Sequence, residues 1–172
     1  PFPQLTSLTL KMSSLRLWLP VLLRAPPSLR RLRPFELSDT VGPTLILPLK
    51  RFRSLDRLSI DLTAWLRLPS ETASQLASQI GYLHLNATEQ GESSGNTDET
   101  NLGCLKPIQQ LRFSRLWTFK SNDVGSFGSA ETSITSLDLQ LRSWGSWSPL
   151  SNQLSNHLGR LTKLRRLNLH FP

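Results

Sequence analysis

One short phrase, apolar-x-x-apolar-x-apolar, recurs along nearly the whole chain, and its spacing limits what the chain can fold into. Clean copies are Leu5-Thr-Ser-Leu-Thr-Leu10, Leu55-Asp-Arg-Leu-Ser-Ile60, Ile80-Gly-Tyr-Leu-His-Leu85, Ile108-Gln-Gln-Leu-Arg-Phe113, Ile134-Thr-Ser-Leu-Asp-Leu139 and Leu164-Arg-Arg-Leu-Asn-Leu169. A damaged copy begins at Leu29-Arg-Arg-Leu32. The copies start at positions 5, 29, 55, 80, 108, 134 and 164, with steps of 24 to 30 residues. A single copy would mean little, because Leu is common and a helix supplies the same spacing. Six clean copies at nearly constant steps define a repeat architecture.

The last two apolar residues of each phrase are two apart, as in Leu167 and Leu169. A strand points both to one face and the residues between them to the other. No unit of this size buries its apolar face alone, so neighbours must stack into a continuous core. The pattern resembles the leucine-rich repeat, whose unit is a short parallel strand followed by a helix or 3₁₀ turn, and the resemblance covers essentially all of the 172 residues. It implies an α/β fold: a horseshoe-like solenoid of about seven units. Short parallel strands would line its concave side, with short helices or irregular segments on the convex side.

The length suits one domain, 1–172, with a sizeable core. The formal charge of +8 points toward acidic partners, though it is spread over many repeats instead of forming a tail. A single cysteine, Cys104, excludes an internal disulfide. Extracellular arrays of this kind protect their ends with cysteine-rich caps, so the composition predicts an intracellular protein, cytoplasmic or nuclear. It also argues against use of Asn86-Ala87-Thr88, which fits the glycosylation pattern. No apolar run is long enough to span a bilayer. A start at Pro1 and a stop just after a strand phrase, without polar terminal units, suggest a piece of a longer chain.

Between phrases, Leu15, Leu19, Leu22 and Leu23 recur at helical spacing and predict a short helix with Pro20 near its first turn. In the damaged unit Pro34 stands where an apolar residue is expected. Either Phe35 and Leu37 take over through a bulge, the favoured reading, or the strand is shifted. Residues 40–52, with Pro43 and Pro48, read as irregular or one short turn. Ser70 reads as the N-cap of a helix to Ser78. Ser148-Pro149 opens another, with Leu150, Leu154, Leu158 and Leu161 on one face and Gly159 at its end. Residues 86–101 contain Glu89, Glu92, Asp98 and Glu99, no Lys or Arg, and no apolar side chain larger than Ala87. They read as a disordered acidic insertion, a tolerated loop or a screen over the basic surface. Residues 120–133 form a second, Gly/Ser-rich loop.

No catalytic signature is present: no G-x-S-x-G, P-loop, H-E-x-x-H or zinc-type Cys pair. Residues His84, His157 and His170 lie in different elements without ligand-spaced neighbours and read as surface histidines. Cys104 reads as a small packed side chain. The five tryptophans, Trp18, Trp65, Trp117, Trp144 and Trp147, follow strands or sit in connections and read as core or rim packing. The sequence therefore predicts a protein that is not an enzyme, with no cofactor and no metal.

What remains is a surface. Registering the phrases puts Arg31, Arg33, Arg57, Asp61, Tyr82, His84, Arg112, Asp138, Arg166 and Asn168 among the residues of the concave face, with Lys11 in the same strip. Six bases and two acids lie there. The strip predicts capture of an acidic or phosphorylated protein segment, with Arg31, Arg57, Arg112 and Arg166 as bidentate donors. Phrases such as Pro27-Ser-Leu-Arg-Arg-Leu32 and Thr162-Lys-Leu-Arg-Arg-Leu-Asn-Leu169 are similar to the divergent leucine-rich arrays of F-box proteins. That resemblance implies a substrate-recognition array of a cullin-type ubiquitin ligase, whose adaptor would bind only through an F-box outside this sequence. A scaffold with no ligase link is the alternative. Nucleic-acid association ranks last, because no basic run interleaves with exposed aromatics.

Overall fold

The computed structural model describes residues 4–10, 15–34, 49–86, 100–116, 132–141, 156 and 158–170. The elements are β1 (Ser7–Leu10), α1 (Leu15–Arg24), β2 (Arg31–Pro34), β3 (Arg57–Asp61), α2 (Leu62–Leu66), α3 (Ser70–Gln79), β4 (Tyr82–Asn86), α4 (Thr100–Gly103), β5 (Gln110–Leu116), β6 (Ser136–Leu141) and β7 (Arg166–His170). Each copy of the phrase supplies one strand. The strands form one open sheet in chain order, β1 to β7, and every pairing is parallel. The protein is thus α/β, with a seven-stranded all-parallel sheet.

The register explains why the phrase repeats. Leu58 pairs with Leu83, Leu83 with Leu111, and Leu111 with Leu137. One step along, Ile60, Leu85, Phe113 and Leu139 form a second apolar ladder on the same face. All eight are at most 2% exposed. The phrase-opening residues Leu29, Leu55, Ile80, Ile108 and Ile134 are buried as well. The turns into β2, β3, β4, β6 and β7 are each tied to the preceding repeat by a recurring pair of bonds, and the turn into β5 by one, from Gln110 N to Gly81 O. Thr6 O accepts from the N–H groups of Arg30 and Arg31, Arg30 O from Asp56 and Arg57, and Asp56 O from Gly81 and Tyr82. Gln109 O accepts from Thr135 and Ser136, and Thr135 O from Arg165 and Arg166. These bonds satisfy backbone donors that would otherwise be orphaned beside the core.

The connections cover the apolar ladders. Trp65 is fully buried, and Leu68, Ala73, Leu76 and Ala77 pack into the same core. Trp65 is therefore core, as its sequence position suggested; the side chains of the other four tryptophans lie outside the described residues. No helix among the described residues is long and apolar enough to cross a membrane.

Several local expectations change. Pro20 lies inside α1, at its sixth residue, not near its first turn. It removes a donor from the helix, and burial of Leu22 at 0% exposure is what holds this segment on the core. Helix α3 begins at Ser70 with Pro69 at the cap position, and no side chain caps it. Pro69 O instead accepts from Ala73 N at 3.0 Å, so the extended ψ of 137° at Pro69 sets the helix start. Pro34 ends β2 in unbroken register, opposite Leu10, and the expected bulge through Phe35 and Leu37 lies outside the described residues. The missing N–H of Pro34 coincides with a short β2–β3 ladder, which holds only Arg31↔Arg57 and Leu32↔Leu58. The register shift of the sheet falls elsewhere, between Phe113 and Leu116 of β5.

Asn86 ends β4 and Thr100 opens α4, so the acidic stretch is shorter than read from composition; 87–99 lie outside the described residues. So do Phe35, Leu37, residues 40–48, the Gly/Ser-rich stretch up to residue 131 and most of the segment after Ser148. Among the described residues, 49–51 are helical, and Gly159 follows the helical Leu158 as its predicted position required.

Candidate functional site

The sheet face away from the apolar ladders carries three rows of polar side chains. The first runs Ser7, Arg31, Arg57, Tyr82, Gln110, Ser136 and Arg166. In the second Thr9 pairs with Arg33, and Ser59, His84, Arg112, Asp138 and Asn168 follow in register. The third holds Asp61, Asn86 and Ser114, and further along Gln140 and His170. All ten candidate residues therefore lie on this one face; Lys11 lies outside the described residues. Their environments divide the face into three parts.

At the β1–β4 end lies a depression of about 340 Å³, lined by Arg31, Arg33 and Arg57 with the hydroxyl residues Ser7, Thr9 and Ser59, and with Tyr82 and Gln110 at its far side. Among the described residues, no carboxylate lines it. Arg31 and Arg57 are register partners on adjacent strands, so like charges stand directly opposite each other, an arrangement that disfavours the bare sheet. The Arg57 guanidinium sits over the Tyr82 ring, 5.8 Å from its centroid, which orients that arginine and covers one ring face.

The middle of the face is a hydroxyl–imidazole chain. His84 Nδ1 is 3.0 Å from Ser59 Oγ, and its Nε2 is bonded to Ser114 Oγ. A neutral imidazole bonds the two hydroxyls through one donor and one acceptor nitrogen, each hydroxyl being able to donate or accept. Burial is the main cause that lowers the His84 pKa to about 4; the charges of Arg112 and Arg33 lower it further, and Asp138 opposes them. His84 is thus a neutral structural link and not the surface histidine expected from sequence. Local spacing could not reveal this, because Ser59 and Ser114 sit 25 and 30 residues away; the register of the phrases is the signal that finds them.

Asp61, at 5% exposure, is too buried to meet a partner. Its Oδ1 accepts from Ala64 N at 3.3 Å, the geometry of an N-cap on α2. Replacing Asp61 with Ala should lower the unfolding free energy by about 1 kcal/mol while Asp61→Asn, which keeps an acceptor, should cost less. Urea denaturation of the two variants distinguishes the outcomes.

At the β5–β7 end one carboxylate sits among the basic groups. Asp138 Oδ1 lies 4.0 Å from Arg112 Nε and 3.5 Å from His170 Nε2. Arg112 is therefore engaged with a carboxylate within the face, while Arg166 and Asn168 are exposed on β7. Away from this face, burial raises the pKa of the Cys104 thiol, and its Sγ lies 3.9 Å from Ser70 O, the surroundings of a packed side chain. Among the described residues, no three of His, Cys, Asp and Glu gather into a group able to hold a metal ion.

Comparison of the chain with family models, with curated proteins and with solved structures finds no match.

Proposed function

We propose that the protein is a non-catalytic recognition module, a leucine-rich-repeat solenoid whose polar strand face is concave and docks an acidic segment of a protein partner. The observation that carries this reading is the depression lined by Arg31, Arg33 and Arg57, with no carboxylate in its lining among the described residues. Such a site gains most from an anion, because each charge-assisted hydrogen bond is about twice as strong as a neutral one. The Arg112–Asp138–His170 end supplies polar contacts and fixes register.

Immobilised peptide pools rich in Asp and Glu, in Lys and Arg, or in neutral polar residues test this reading. The acidic pool should retain the protein, and a variant carrying both Arg31→Glu and Arg57→Glu should bind it at least about ten-fold more weakly. Both positions are exposed, so stability should stay within about 0.5 kcal/mol. Equal retention of the double variant would move the docking surface elsewhere.

The likeness of the repeat phrases to F-box arrays supports a setting for this capture, recruitment of substrates to a ubiquitin ligase. A form of the protein bearing an F-box should then co-precipitate a ligase adaptor and a cullin, which the 172-residue array alone should not. Failure to bring down either would leave a leucine-rich scaffold without the ligase.

A further inference from the structure

We propose that the depression between β1 and β4 is a subsite for a phosphoryl dianion carried on a side chain of the protein partner. The inference rests on the recognition reading above and narrows it to one chemistry at one place. Three arginines line it, and among the described residues no acid does. A carboxylate would bring one negative charge and two acceptor oxygens; a phosphorylated side chain brings about −1.5 to −2 charges at neutral pH and three acceptor oxygens.

The backbone geometry suits the larger anion. Arg31 and Arg57 spring from adjacent strands about 4.8 Å apart, and Arg33 lies two residues along β2 from Arg31, about 6.6 Å away. Forks rooted at three such positions are enough to surround a three-oxygen anion, whereas a planar carboxylate is saturated by one fork. Hydroxyls of Ser7 and Thr9 border the same space as further donors. Arg57 is already steered by Tyr82, which reduces what must be ordered on binding.

The same observations disfavour a nucleic acid. The Tyr82 face that could stack on a base is covered by Arg57. Beyond Tyr82 the rows hold Arg112 paired with Asp138, so no continuous basic track follows a phosphate backbone.

His84 reports on occupancy from within. It bonds Ser59, a lining residue, and the Arg33 charge is one cause of its low pKa of about 4. An anion seated against Arg33 offsets that charge, so the His84 titration midpoint, followed by imidazole NMR, must rise when the site fills.

The test uses the full chain with degenerate peptide pools whose central residue is phosphoserine, glutamate or serine, and with a single-stranded oligothymidylate. The phosphoserine pool should bind roughly ten-fold or more tightly than the glutamate pool. Arg31→Gln and Arg57→Gln, each verified as folded by circular dichroism, should each weaken it by about ten-fold. Arg160→Gln, in an exposed turn at the far end, should leave it unchanged. Equal binding of the phosphoserine and glutamate pools overturns the phosphoryl subsite but leaves the acidic-recognition reading; binding of no pool overturns both. Tighter binding of the oligonucleotide overturns the proposal in favour of a nucleic acid. Unchanged binding by the two arginine variants, or a His84 midpoint that stays near 4 with phosphoserine peptide bound, places the anion elsewhere and overturns the assignment.

Discussion

Replacing Leu83 with alanine should lower the unfolding free energy by roughly 3 kcal/mol, within the range of about 2–5 kcal/mol for such core truncations. Leu83 is 0% exposed at the second residue of β4, flanked in register by Leu58 of β3 and Leu111 of β5. Neither neighbour can collapse into the vacated space, because each is fixed by its own ladder bonds, so the cavity term adds to the lost transfer energy. In a sheet where each strand touches only its neighbours, the loss falls on two interfaces at once. Leu167 occupies the same register position on β7 but is 39% exposed and has a strand on one side only. Leu167→Ala should cost about 1 kcal/mol. Urea unfolding of both variants measures the difference, and equal losses would mean that β4 is not in the centre of the packed sheet.

Acidification should destabilise the protein through His84. Its folded pKa of about 4 lies below the ordinary value of 6.5. Between these values the unfolded chain binds a proton that the folded chain refuses, so stability is fully present above pH 6.5 and is lost as pH falls toward 4. The full electrostatic value is about 3 kcal/mol, and partial exposure of the ring screens it to roughly 1–2 kcal/mol. Burial is the largest cause, and the charges that act beside it come from three strands: Arg112 of β5, Arg33 of β2 and the opposing Asp138 of β6. Urea unfolding of wild type and His84→Gln from about pH 7 to about pH 5, above most carboxylate titration, isolates the effect. The wild type should lose stability more steeply than the variant. Parallel curves would show that His84 is protonated in the folded protein.

Much of this architecture is legible in single residues. Leu58, Leu83, Leu111 and Leu137 occupy the same position of the phrase, and that position alone predicts a strand, its inward face and its register with both neighbours. The rows of polar residues follow from the same alternation, so phrase position alone sets Arg31 and Arg57, 26 residues apart, side by side. The errors arose where the phrase says nothing. At Pro69 and Ser70 the residue preferences named a serine cap, but the geometry of the preceding proline started the helix.

The sequence by itself determined the order of the strands, their parallel sense and which side chains share each face, because a period of two within the phrase and a nearly constant step between phrases leave one arrangement that buries every copy. Only the tertiary structure decided how the charges on the polar face differ. Arg112, a free donor by pattern, is drawn to Asp138; Asp61 is turned to cap α2; His84 is sunk between two hydroxyls; Arg31, Arg33 and Arg57 line one depression. The physical reason is that a pattern gives direction, whereas pairing and desolvation depend on distances of a few ångströms between side chains from separate strands, and those exist only once the sheet is assembled.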